Sequence, residues 1–132
     1  MRYRVTNLTR KMLLANRVIR ADTFSSRFRG LMGVRQLSAG EGLHIDPCTG
    51  IHTFFMRIPI DVLFLDLSHE IVEVLHVLEP WKMTRIYFRA RSVLELAAGT
   101  IRASGTCPGD RLTFEPTEEQ NHPLRADGQL AD

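Results

Sequence analysis

The segment PCTGIHTFFMRIPIDVLFLD, residues 47–66, sets a cysteine, a histidine, an arginine and two aspartates in the most apolar part of the chain. Three kinds of chemistry are open to such a set. The first is nucleophilic. Cys48 lies four residues after His44 and four before His52, and a thiol becomes a nucleophile only when a base or a positive charge draws off its proton. The two histidines fall on different expected strands, and no Asn or Asp is spaced to orient either. A small apolar cysteine in a turn is the plainer reading. The second is metal binding: His44, Asp46, His52 and Asp61 could meet across neighbouring strands, but they form no compact ligand motif, and Asp46-Pro47 already reads as a turn opener. No metal and no cofactor is expected.

The third is a polar pocket. Asp61 enters the run VLFL directly after Arg57-Ile58-Pro59, and a carboxylate beside so much apolar sequence must be paired or hydrogen-bonded. It either caps a turn or bridges to Arg57, or else Arg57, Asp61 and the histidines line a pocket mouth. Arg27 and Arg29 stand beside Gly30-Leu31-Met32-Gly33, a segment that could receive an anion but lacks the glycine pattern of a phosphate loop. Trp81, the single tryptophan, follows Pro80 and either caps the sheet or stands at a pocket rim.

The elements that must carry these residues are mostly short strands. Residues 3–7 and 13–21 alternate loosely as a hairpin. Thr23, Ser25 or Ser26 caps a short helix whose face is Phe24, Phe28, Leu31 and Met32. Strands are expected at 42–45, 51–55, 60–67, 85–88, 91–97 and 111–114, with a helical turn from Gly99 to Ala103 closed by Gly105. Segment 60–67 is continuously apolar, so it should be central and covered on both faces. Residues 70–78 suit a strand by β-branching and a helix by spacing. In 91–97, Val93 and Glu95 should face opposite to Leu94 and Leu96. Closely spaced strands without long crossover helices argue for an all-β fold, a compact antiparallel sandwich or barrel-like domain. Residues 1–116 would form one β-rich domain, and 117–132, polar and rich in Pro, Gln, Asn and Gly, a flexible tail.

Bulk properties exclude little. The chain has 132 residues, 44% hydrophobic and 24% charged, with a net charge of +2. That is too small to indicate nucleic acid, which is not expected as a partner. Charge is uneven: Arg2, Arg4, Arg10 and Lys11 belong to a basic front, Glu115, Glu118 and Glu119 to an acidic end. The two can compensate each other, or the front can attract an acidic partner. No apolar run has the length of a membrane span or of a secretory signal, so a cytoplasmic protein with reduced thiols is expected. Spacing leaves open whether Cys48 and Cys107 pair.

Several of these segments together resemble domain-of-unknown-function family 192. FSSRFRGLMG supplies Phe24, Arg27, Gly30, Leu31 and Met32 of the family's first motif. IHTFFMRIPIDVLFLD supplies Phe54, Met56, Ile58, Pro59, Asp61 and Asp66 of the second, and VLELAAG with CPGD supplies Val93, Leu94, Glu95, Leu96, Ala98, Gly99, Gly109 and Asp110 of the third. Phe55 stands where the family usually has Trp, and Arg57 where it has a longer Lys-Asn-Thr segment. This is similar to a sub-branch reading Pro-Cys-x-x-Ile-His-Thr-x-Phe-Met-Arg. The resemblance implies a compact β-sandwich or barrel and no particular reaction. Many members carry an export signal or lipid anchor, which this chain does not display.

The reading that joins these observations is a small non-catalytic binding or accessory domain, monomeric or weakly dimeric, taking a small molecule or peptide. Its groove would be lined by Arg27, His52, Phe55, Met56, Arg57, Asp61 and Trp81. The rivals are a thiol-dependent hydrolase-type enzyme using Cys48 with His44 or His52, and an interaction module using the basic N-terminal face.

Overall fold

In this computed structural model, which describes residues 2–117, the N-terminal alternation becomes a hairpin. Strands β1 (Arg2–Asn7) and β2 (Met12–Ala21) pair antiparallel. Helix α1 (Phe24–Arg29) follows, opened by a capping box in which Thr23 Oγ1 accepts from the Ser26 backbone N–H and Ser26 Oγ from that of Thr23. Then come β3 (Glu41–Ile45), β4 (Ile60–Leu65), β5 (Ile71–Leu78), β6 (Ser92–Ala97), α2 (Thr100–Ser104) and β7 (Leu112–Pro116). All but one residue of the expected tail, 117–132, lies outside the described residues. Among the described residues no helix is long and apolar enough to cross a membrane.

The seven strands form one curled sheet, a half-barrel, in the order β5-β4-β6-β3-β2-β1-β7. Its two end strands approach each other where Glu70 bridges Arg111 and the Ile71 N–H donates to the Asp110 carbonyl at 2.8 Å. The fold is β-rich with two short helices, as the strand spacing indicates, but the sheet is not purely antiparallel. β2 and β3 run parallel, because a parallel neighbour needs a crossover of about a dozen residues or more, and α1 with the loop to residue 40 supplies it. Residues 71–78 are strand, held in register by β4. Two expected strands are absent. Segments 51–55 and 85–88 are irregular coil; the first makes only a single isolated bridge, His52 to Met83. The backbone hydrogen bonds of 51–53 go to 81–84 rather than to the sheet: Thr53 N–H donates to the Lys82 carbonyl, and Trp81 N–H to that of Thr53.

Two apolar layers result, one on each face of the sheet. The inner layer gathers Val5, Val18, Leu63, Leu65, Leu94, Leu96 and Leu112 from strands across its width, with Ile101 of α2. The outer layer holds Leu43, Ile45, Ile51, Met56, Val62, Phe64 and Val93. It is roofed by the coil segments that periodicity mistakes for strands. β4 and β6 are buried along their entire length, so side chains of both parities lie out of water. Gly42 lets β3 close on β6: a Cβ there would sit 2.9 Å from the Glu95 carbonyl oxygen and from Leu96 Cδ2.

Candidate functional site

Glu95 is a buried acid whose Oε1, like Arg27 Nε, His44 Nε2 and Ser92 Oγ, lacks a hydrogen-bond partner among the described residues. It sits on β6, opposite Leu43 of β3 on one side and Val62 of β4 on the other. A carboxyl thus interrupts an apolar row on the outer face. It is 2% exposed, and its Oε1 has no hydrogen-bond partner. Burial, with nothing to offset it, pushes its pKa from 4.5 up to about 8. At neutral pH the group is therefore mainly a neutral carboxylic acid, able to donate as well as accept.

Above Glu95 lies the end of α1. Gly30 caps the helix at φ 48°, and a Cβ on it would lie 3.9 Å from Glu95 Oε1. One turn earlier, Arg27 is fixed by a 3.0 Å hydrogen bond from Nη1 to the Pro47 carbonyl. Its Nε is buried without a partner. Neither Arg27 nor Arg29 forms an ion pair among the described residues.

The third wall is the coil 47–52. Asp46 anchors its start through ion pairs with Arg20 (2.9 Å) and Arg91 (3.1 Å), and the Cys48 N–H donates to the Arg91 carbonyl. The Cys48 thiol donates to the Gly50 carbonyl at 3.1 Å. Burial, chiefly, pushes its pKa up, which keeps it a thiol. His52 Nδ1 accepts from the Phe54 N–H at 3.2 Å, and its ring stacks on Phe54. Between these walls opens a cleft of about 300 Å³ lined by Arg27, Arg29, Gly30, Leu31, Met32, Ile45, 47–52, Met56 and Glu95. Polar groups are few in it and concentrated at Arg27, Arg29, His52 and Glu95; the remainder is largely apolar. That is the usual make-up of a small-molecule site, and the volume is at the small end of such sites.

Of the residues expected to line a groove, Arg27, His52 and Met56 meet here. Phe55 and Trp81 do not line the cleft; their rings pack at 4.8 Å on the surface, 62% and 59% exposed. Arg57 is exposed and also outside it. Asp61 is on the other face of the sheet, fully buried, accepting from the N–H groups of Val77 (2.9 Å), Gly99 (3.1 Å) and Ile101 (2.8 Å). It caps α2 and the irregular end of β5, without pairing to Arg57. His44 is likewise on the inner face, packed against Phe114 and His69, and burial lowers its pKa to about 4. It therefore cannot serve Cys48 across the sheet. Nor do His44, Asp46, His52 and Asp61 come together as a metal site. Cys48 and Cys107 are both free thiols.

The remaining motif residues divide between cleft and scaffold. Phe24 opens α1, and Gly30, Leu31 and Met32 line the cleft. Pro59 precedes β4, and Asp66 Oδ1 accepts from the Ser68 and Glu70 N–H groups in the β4–β5 turn. Gly99 is the N-cap of α2 at φ 96°. Gly109 has φ 92°, and Asp110 gathers Asn7, Arg10 and the Cys107 N–H at 2.9–3.1 Å. From sequence, Glu95 reads only as one of these motif residues. An isolated acid between Leu94 and Leu96 would have marked it, had the coverage of both sheet faces been legible.

The family model of domain of unknown function 192, described as an uncharacterized ACR, matches residues 5–114. The UPF0127 protein TK1120 of Thermococcus kodakarensis is 32% identical over 120 residues, covering 88% of this chain and 76% of its own. A crystal structure of a protein of unknown function from Novosphingobium aromaticivorans superposes with a TM-score of 0.74 at 22% identity, covering 86% of this chain and 84% of the other. One from Sinorhizobium meliloti, described as a "putative transcription regulator", gives a TM-score of 0.72 at 29% identity and covers 86% and 92% of the two chains. The chain belongs to the uncharacterised DUF192, or UPF0127, family.

Proposed function

We propose that this protein is a small-molecule binding domain whose ligand enters the outer-face cleft between α1, the coil 47–52 and β6. One observation carries the reading: two buried polar atoms, Arg27 Nε and Glu95 Oε1, border the same cleft and have no protein partner. Unsatisfied buried groups cost about 1–3 kcal/mol each. A fold that keeps two of them at one cavity gains when a ligand satisfies them. The apolar walls of Leu31, Ile45, Ile51 and Met56 would hold the ligand's body. Cys48 belongs to the wall: a thiol held protonated by burial lacks the activation that a nucleophile needs. Titration of ¹⁵N-labelled protein with small aromatic and aliphatic polar compounds tests the reading. Shift changes clustered at 27–32, 47–52 and 95 are expected. Changes confined to other regions, or none at millimolar compound, overturn it.

A further inference from the structure

We infer that the ligand of the cleft is a monocarboxylate with an apolar body, its carboxylate received by Arg27 Nε and the Glu95 carboxyl group. This rests on the small-molecule reading above and adds the chemical class. Arg27 and Arg29 bring positive charge to the cleft, with no ion-paired carboxylate among the described residues. Such a cavity favours an anion over an amine. Arg27 Nε–H is a fixed donor, since Nη1 is held by the Pro47 carbonyl. Glu95 in its neutral form supplies an O–H donor from the opposite wall. Two donors with a net positive charge match the acceptor-only carboxylate, and charge-assisted hydrogen bonds are the stronger kind. A primary amide could satisfy both atoms but would leave the guanidinium charge unpaired. The walls and the volume of about 300 Å³ leave room for a body of small aromatic or short aliphatic size.

Binding of such an anion must then depend on the proton of Glu95. Burial places that group's pKa at about 8. The groups facing it are Arg27 and Arg29 from α1 and Cys48 and His52 from the coil, while Leu43 and Val62, its strand neighbours, carry no charge. Only the fraction with Glu95 protonated is competent, so affinity should fall about tenfold between pH 6 and pH 9.

Calorimetric titration of the full chain with 3-phenylpropionate, 3-phenylpropionamide and 3-phenylpropylamine is the test. The carboxylate should bind about tenfold or more tightly than the amide, with the amine weakest. Its affinity should drop about tenfold from pH 6 to pH 9. Glu95→Gln keeps a donor and should abolish the pH dependence. Arg27→Gln should weaken the carboxylate about tenfold at both pH values, and His52→Gln should leave the pH dependence in place. Thermal unfolding midpoints establish that each variant is folded, and the probe ranking and pH dependence are read on the native chain alone. Amide or amine binding as tightly as the carboxylate, or a pH-independent carboxylate affinity, overturns the class while leaving the cleft as a binding site. Failure of all three probes to bind overturns both readings.

Discussion

Asp61 and Glu95 are carboxyl side chains on neighbouring, hydrogen-bonded strands, both essentially sealed from solvent. They point to opposite faces, because Asp61 pairs with Leu96 while Val62 pairs with Glu95. On the inner face, Asp61 collects three backbone N–H groups and ties β4 to β5 and to the start of α2. On the outer face, Glu95 Oε1 meets no donor and lines a cleft. Burial of a carboxyl is thus not by itself a mark of function. What separates the two is whether the protein supplies the partners. Where it does, the acid is part of the scaffold; where it does not, the atom stays unsatisfied, as Glu95 Oε1 and Arg27 Nε do at the cleft and His44 Nε2 and Ser92 Oγ do outside it.

The largest effect should come from the satisfied acid. Asp61→Ala leaves three buried N–H groups without an acceptor and should lower unfolding stability by about 3–5 kcal/mol, read from urea denaturation. A loss below about 1 kcal/mol would make the two carboxyls equivalent and break the comparison.

Next comes the pH dependence of stability. Glu95 has a raised pKa in the folded chain, about 8 against 4.5. Between those values the folded state holds a proton that the unfolded state releases, so its contribution declines as pH rises. His44, lowered from 6.5 to about 4 on the inner face, does the reverse: its contribution is lost as pH falls through that window. Between pH 4.5 and 6.5 the Glu95 slope is opposed by those of His44 and His69, both lowered by burial, and from pH 6.5 to 8 the Glu95 decline stands out. Glu95→Gln should remove it, a gain of about 2 kcal/mol at pH 8 relative to pH 6.5 compared with the native chain. An unchanged slope would mean that Glu95 ionises normally.

Smaller effects concern the frame of the cleft. Gly30→Ala forces a side-chain-bearing residue to φ 48° and should lower stability by about 1–2 kcal/mol. It should also weaken 3-phenylpropionate binding, because the α1 terminus carrying Arg27 shifts; unchanged binding would show the cap and the cleft to be independent. Phe55→Ala removes half of an exposed ring pair outside the cleft. It should alter stability by only about 0.5–1 kcal/mol and leave binding of the probe unaffected. Loss of binding would return Phe55 to the site.

How far these features are legible in the sequence follows the same division. The β-rich class, the hairpin 2–21, the fully covered strand at 60–65 and the turn of helix after Gly99 rest on local signals: alternation, apolar runs and glycine caps. Residues 51–55 and 85–88 carry the same β-branched and aromatic signal, but they lie over the sheet as a roof, where packing rather than pairing decides their backbone. The cysteine–histidine segment does border a cleft, so Arg27, His52 and Met56 are within reach of sequence reasoning. Asp61 is not, because the face a strand residue takes depends on register, and one residue of slip reverses it. Glu95 escapes for a related reason. In a strand alternating as V-L-E-L, an acid reads as the solvent side, and only the roof of coil makes it a buried one.

Protonation of Glu95 and its response to an anion are the properties that set the cleft apart from the scaffold. A ¹³C NMR titration of the Glu95 side-chain carboxyl, without and with saturating 3-phenylpropionate, measures both. The expected midpoint is about 8 in the free protein, moving higher when the carboxylate is bound, since a ligand that needs the proton must tighten its hold on it. A midpoint near the ordinary 4.5, unmoved by the probe, would contradict the account.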